Sequence, residues 1–221
     1  MRLYSVIRLK MTKKSLMNGK EVKRILRAGE YLLRWLFLEY PRGLDFSLRV
    51  KFPSGNKDSM NGYARTSKSA LENLIKNLSV EDKKVLDIGS GKGSVIADFY
   101  VLGFSESHGI EYNEMLHNIA QKNISVLRID KFCKSYNLDA RKFEYYARYD
   151  VYFLFNPFNE NLYAEVMAVL RNQIRGSNLT RYIIAYGNAN HKAIKSIENC
   201  ALKEAGICPH RKTNYSIYKI N

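Results

Sequence analysis

Residues 85–93 read VLDIGSGKG, and no other stretch restricts the fold as tightly. Val85 and Leu86 are the apolar body of a buried strand, and Asp87 stands near its end. Gly89, Gly91 and Gly93 follow at alternate positions, and Ser94 to Leu102 has the make-up of a helix. A glycine has no Cβ, so such a loop can bend sharply and let a ligand approach its backbone. The helix start adds unpaired N–H groups facing that ligand. The spacing is GxGxG. It departs from the GxGxxG that opens a dinucleotide-binding unit, which argues against a nicotinamide cofactor.

Downstream of Lys84, short apolar runs alternate with helical stretches, as βαβ units require. Strands are expected near 84–88, 107–111, 134–139, 150–155, 181–186, 207–212 and 215–220, with helices near 93–102, 113–130, 160–175 and 190–205. The last two strands are separated by a short turn and read as a hairpin. The expected architecture is α/β: a doubly wound, Rossmann-like, seven-stranded sheet with one antiparallel terminal strand. Residues 61–221 would form that domain, and residues 1–60 a basic N-terminal helical extension. A helix is expected to begin near Thr66–Ser69, with Ser69 and Glu72 at capping-box spacing. The loop before it, 53–65, is rich in Pro, Gly, Asn and Asp.

Adjacent strands of such a sheet deliver their C-terminal ends to one crevice. Glu111 ends the second strand, and its carboxylate can accept both hydroxyl hydrogens of a ribose; a solvated acid opening the next helix is the competing reading. Asp139 ends the third strand. It, or the N–H of Ala140, can read an adenine edge, or Asp139 can simply form a turn. The fourth strand, Asp150 to Phe158, is almost continuously apolar and emits Asn156-Pro157-Phe158. An amine nucleophile needs acceptors aimed at its N–H groups, which the Asn156 side-chain oxygen and the Pro157 carbonyl can supply. Pro157 stiffens the turn, and Phe158 offers a flat wall for stacking or a cation–π contact. A plain Asn-Pro turn would explain the same residues.

These motifs resemble class I S-adenosylmethionine-dependent methyltransferases from about residue 62 onward. A closer likeness is to bacterial methyltransferases that carry Gly62-Tyr63-Ala64-Arg65-Thr66, the Asp87–Gly93 loop, Gly109-Ile110-Glu111 and Phe155 to Phe158. Residues Tyr63 to Ser67 are also similar to the non-SET histone-lysine methyltransferases, whose matching loop covers the methionine end of the cofactor. The resemblance implies S-adenosyl-L-methionine as cofactor, held by Tyr63, Thr66, Asp87, Gly89, Ser90, Gly91, Gly93, Glu111, Tyr112, Asp139, Ala140 and Asn156. It implies Asn156, Pro157 and Phe158 as the acceptor-facing catalytic set. The expected reaction is methyl transfer to a nitrogen, less readily to an oxygen, of an unidentified acceptor. No metal is required. A non-catalytic, basic nucleic-acid-binding module that keeps a cofactor pocket is the alternative.

Net charge is +15, which favours nucleic acid or another polyanion as partner. Three cysteines without a CxxC pair argue against a disulfide framework or structural zinc and for a reducing cytoplasm. No apolar run is long enough to span a bilayer. Much of the charge is early, in Arg2, Arg8, Lys10, Lys13, Lys14, Lys20, Lys23, Arg24 and Arg27. From Val22 to Tyr40, Val22, Ile25, Leu26, Leu32, Leu33, Leu36 and Tyr40 recur at helical spacing, with most basic residues off that stripe. The expectation is an accessory helix packed on the domain with its charged side in water. A nucleic-acid face and a basic membrane-surface helix are the other two readings.

Overall fold

The computed structural model describes residues 19–50, 62–209 and 212–221. The early basic run up to residue 18, most of the loop expected at 53–65, and two residues of the strand expected at 207–212 lie outside them.

Seven strands form one sheet in the order β3-β2-β1-β4-β5-β7-β6. They are β1 (Lys84–Ile88), β2 (Glu106–Glu111), β3 (Cys133–Asn137), β4 (Val151–Phe155), β5 (Arg181–Tyr186), β6 (Cys200–Cys208) and β7 (Thr213–Ile220). The first five run parallel. Strand β7 is antiparallel to both its neighbours, β5 and β6, so the reversed strand lies inside the sheet and β6 takes the edge.

The central strands are apolar on both faces because both are covered. Along β4, Val151 and Phe153 join a cluster with Leu71 and Leu74 of α2 (Lys68–Ile75) and Val95 and Phe99 of α3 (Ser94–Val101). Tyr152 and Leu154 point the other way, against Tyr163, Met167 and Leu170 of α5 (Glu160–Ile174) and Ile194 of α6 (His191–Lys195). Helix α4 (Glu114–Leu127) joins α3 over β3, through Ile124, Ile96 and Cys133. On the α5 side, the buried His108 ring nitrogen Nδ1 lies 2.7 Å from the Tyr149 hydroxyl.

Local chemistry sets the helix starts. Asn113, Asn159 and Asn190 each accept a backbone N–H three residues on, capping α4, α5 and α6. Helix α2 is capped by Ser67, which accepts from the Ala70 N–H; Ser69 lies within the helix, so the box expected at Ser69 and Glu72 is not the cap.

The largest departure from expectation follows β5. The helix expected over 190–205 is only the short α6. The helix ends at Lys195, and Asn199, with a left-handed φ of 55°, turns the chain into β6. Ala201, Leu202, Glu204 and Ala205 then pair with β7, with the register shifting at Lys203, despite the helix-favouring composition of this stretch. Tertiary pairing overrides weak propensity here.

The chain before the sheet begins with α1 (Gly19–Arg34), which continues as a π-helical turn, Trp35–Glu39, and a 3₁₀ turn, Tyr40–Arg42. Its apolar residues Ile25, Leu26, Leu32, Leu33, Leu36 and Tyr40 are exposed. The expected packing of this stripe on the domain is therefore not what the structure shows. The inward line is Tyr31, Trp35 and Glu39, at four-residue spacing.

Candidate active site

A cleft of about 580 Å³ opens at the C-terminal ends of β1, β2 and β4. Strand order reverses between β1 and β4, and ligands of open α/β sheets bind at such a switch point. Tyr63, Thr66, Asp87, Gly89, Ser90, Gly91, Glu111, Tyr112, Asp139, Ala140, Asn156, Pro157 and Phe158 all line it. Gly93 does not; it starts α3, with φ of 77°.

The glycine loop folds back over β2, with the N–H groups of Gly89 and Ser90 both donating to the Ile110 carbonyl at 2.9 Å. Side chains at these positions would collide with fixed neighbours. A Cβ at Gly89 would stand 2.8 Å from Pro157, and one at Gly91 2.3 Å from the Tyr63 ring. The Tyr63 hydroxyl donates to the Phe46 carbonyl at 2.7 Å, so that ring is anchored over the loop. Gly109 has a matching role, since a Cβ there would meet Ser90 at 2.4 Å.

Glu111 is held on both oxygens: one accepts the Gly91 N–H and the other the Asn113 N–H, each at 2.8 Å. The Tyr112 N–H also bears on this carboxylate, whose roughly four acceptor sites still leave capacity for a ligand hydroxyl. Burial raises the Glu111 pKa, and these backbone bonds oppose the rise. Asp87 is pushed well above the usual carboxylate range by burial and then by the Glu111 charge. The hydroxyls of Thr66 and Ser90 are buried with no hydrogen-bond partner among the described residues, and both residues line the cleft. Orphaned buried hydroxyls on a cleft wall are what a polar ligand would satisfy.

At the far end, Asp139 caps a short 3₁₀ turn by accepting the Arg141 N–H, and its carboxylate is forked by the Arg141 guanidinium at 2.6–3.1 Å. That hydrogen-bonded pair lowers the Asp139 pKa. Arg141 also reaches Glu165 at 3.0 Å. The Asp139 side chain therefore serves the turn.

Asn156 sits at the end of β4 with a left-handed φ of 45°, and its Oδ1 accepts the N–H of Asn188. Gly187 allows this approach: a Cβ there would lie 2.3 Å from Asn156 Oδ1. Phe158 stands edge-on to Tyr163. Tyr163 itself is buried in the core, and His191 contacts the Tyr218 hydroxyl, so neither enters the cleft.

Sequence reasoning missed the buttress behind the loop. The Lys92 side chain is 2% exposed, and its ammonium meets both Asp45 oxygens at 2.7 Å. It also stands 5.5 Å above the Tyr63 ring centre. Asn123 of α4 completes the tie: its Oδ1 accepts the Asp45 N–H, and its Nδ2 donates to the Asp45 and Lys92 carbonyls. Buried Glu39 accepts the Phe46 and Ser47 N–H groups, the Ser47 hydroxyl and Arg65. Burial alone would raise the Glu39 pKa, and these donors together bring it below its ordinary value. The only sequence signal was a lysine inside a glycine loop, where solvated lysine is the ordinary expectation. Among the described residues, no group of three His, Cys, Asp or Glu side chains is placed to hold a metal, and no helix is long and apolar enough to cross a membrane.

Comparison with known proteins agrees with this geometry. The family described as "Histone methylation protein DOT1" matches residues 52–194. No curated protein matches the sequence. Among solved structures, an RNA methyltransferase from Salinibacter ruber in complex with S-adenosyl-L-homocysteine aligns with TM-score 0.55 and 14% identity, covering 71% of this chain and 92% of that one. Magnesium protoporphyrin IX methyltransferase from Synechocystis with bound S-adenosylmethionine gives TM-score 0.55 and 15% identity over 69% and 77%. A protein of the NADB-Rossmann superfamily from Streptococcus agalactiae gives 0.56 and 13% over 71% and 69%. At these identities the structural likeness concerns the fold.

Proposed function

The chain belongs to the histone methylation protein DOT1 family and is an S-adenosylmethionine-dependent methyltransferase; from that premise we propose that its acceptor atom is a nitrogen, presented to Asn156, Pro157 and Phe158. The observation that carries this reading is the locked geometry of Asn156. Its left-handed backbone and its bond from the Asn188 N–H fix the amide at the mouth of the cleft. A polar side chain fixed on the cleft wall can orient an amine before reaction. Pro157, packed on Gly89, ties that turn to the glycine loop.

The residues present fit the cofactor. Glu111 keeps acceptor capacity for a ribose hydroxyl. The Ala140 backbone and Tyr112 border the region suited to the adenine. The orphaned Thr66 and Ser90 hydroxyls and the anchored Tyr63 ring enclose the glycine-loop end. When bound, S-adenosylmethionine supplies a methyl on a positively charged sulfur as the electrophile. The chain's own part is to align the nucleophile, exclude water and hold its N–H groups, which needs no metal and no strong base.

Labelled S-adenosylmethionine with fractionated cell extract, treated or not with nuclease or protease, would find the acceptor. Alkali-stable label recovered as an N-methyl product is expected. Asn156→Ala should lower turnover about 100-fold with S-adenosylhomocysteine affinity nearly unchanged. Label recovered only as O-methyl product, or full turnover by Asn156→Ala, would overturn the assignment.

A further inference from the structure

Helix α1 and its π-helical continuation present an apolar face that the rest of the described chain does not cover. Ile25, Leu26, Leu32, Leu33, Leu36 and Phe37 are all exposed, with Phe37 at 71% and Leu26 at 66%. The helix is not simply detached. Tyr31 lies under the Arg49 guanidinium, 5.5 Å from ring centre to cation, and Glu39 is buried against Arg65. With Trp35 between them, these residues fix which side faces the domain. At 100° per residue, Leu26, Leu33 and Phe37 fall on the opposite side, with Ile25, Leu32 and Leu36 on the flank between. The arrangement is therefore anchored inward and apolar outward.

Charge identifies what fits that face. Residues 1–40 hold ten Lys and Arg against three Glu and no Asp. Within α1, the helix positions of Lys20, Lys23, Arg24, Arg27 and Arg34 fall away from the centre of the apolar stripe. A second copy of the chain would bring the same positive charge against itself, in a protein of net charge +15. A nucleic-acid backbone would use the cations and leave six large apolar side chains without a role. An anionic bilayer surface uses both: cations against headgroups, and aliphatic and aromatic side chains at the acyl boundary.

We propose that residues 19–39 form an interfacial helix that docks the enzyme on anionic lipid membranes, with the face bearing Leu26, Leu33 and Phe37 inserted. This inference does not depend on the acceptor or on the cofactor site.

The test is co-sedimentation of the full chain with phosphatidylcholine vesicles, with and without about one third phosphatidylglycerol, at low and high salt. Binding to the anionic vesicles, weakened by salt and much weaker on neutral vesicles, is expected. Leu33→Glu/Phe37→Glu should lower vesicle affinity at least about tenfold. Its thermal transition and S-adenosylhomocysteine binding should be unchanged, because both side chains are exposed and remote from the cleft. No binding at low salt would overturn the proposal. So would equal binding by the double variant, or tighter binding of mixed RNA and DNA that ignores the double substitution. A dimer in sedimentation equilibrium that the substitution dissolves, with no vesicle binding, would assign the face to a second copy instead.

Discussion

Asp45→Ala strands the Lys92 ammonium beneath the glycine loop, and the cost can be worked from the geometry. Removing one partner of a fully buried pair costs about 3–5 kcal/mol, because the remaining charge has no compensation. Here Lys92 is buried while the Asp45 side chain is 31% exposed, so the pair is partly screened and about 2 kcal/mol is expected. Lys92→Met leaves the other half behind. A one-third exposed carboxylate can rehydrate, and methionine fills much of the lysine stem, so a loss of about 0–1 kcal/mol is expected. The double variant should be close to Lys92→Met alone, since the stranded cation is gone. Urea titrations with matching m-values measure all three. Asp45→Ala within experimental error of wild type, or milder than Lys92→Met, would refute the reasoning.

Gly91→Ala should abolish S-adenosylhomocysteine binding in calorimetry. The new Cβ meets an anchored Tyr63 ring on a residue at φ of 54°, and Tyr63→Ala in the same chain should restore part of the signal. Glu111→Ala should weaken that binding by about 2 kcal/mol, through lost charge-assisted bonds to ribose hydroxyls; wild-type affinity in a folded variant would remove the ribose role. His108 supplies the pH test: burial lowers its pKa from 6.5 to about 4. The folded state thus favours the neutral ring, and its contribution to stability, present above 6.5, is lost as pH falls toward 4. His108→Phe should flatten that part of the stability profile in thermal melts across the range.

The parts of the fold legible in sequence were those written in local chemistry. Glycines at 89, 91 and 93 and an acid at each strand end specify a strand–loop–helix turn almost regardless of surroundings. Asn156-Pro157 could be read for the same reason, since the amide and the proline act where they stand. The role of Asn188 could not, because its N–H reaches Asn156 only once β4 and β5 are side by side. Lys92 shows the same limit: its partner Asp45 comes from a stretch with no motif and meets it through Asn123 of a third element. Residues 200–205 were misread because their composition suits a helix, and only pairing with β7 makes them a strand. The α1 stripe has the periodicity of a packed helix, and periodicity alone does not say whether protein or another medium meets the face.

The place of β7 has a consequence for how the chain is made. It leaves the ribosome after β6, yet it must slot between β5 and β6. Until residues 213–220 emerge, the β5 edge has no neighbour and β6 has nothing to join. A nascent chain that has already built the first five strands therefore waits with an open flank. Crowded or slowed synthesis should expose that flank to strands from other chains, and errors in assembly should concentrate there and spare the glycine loop.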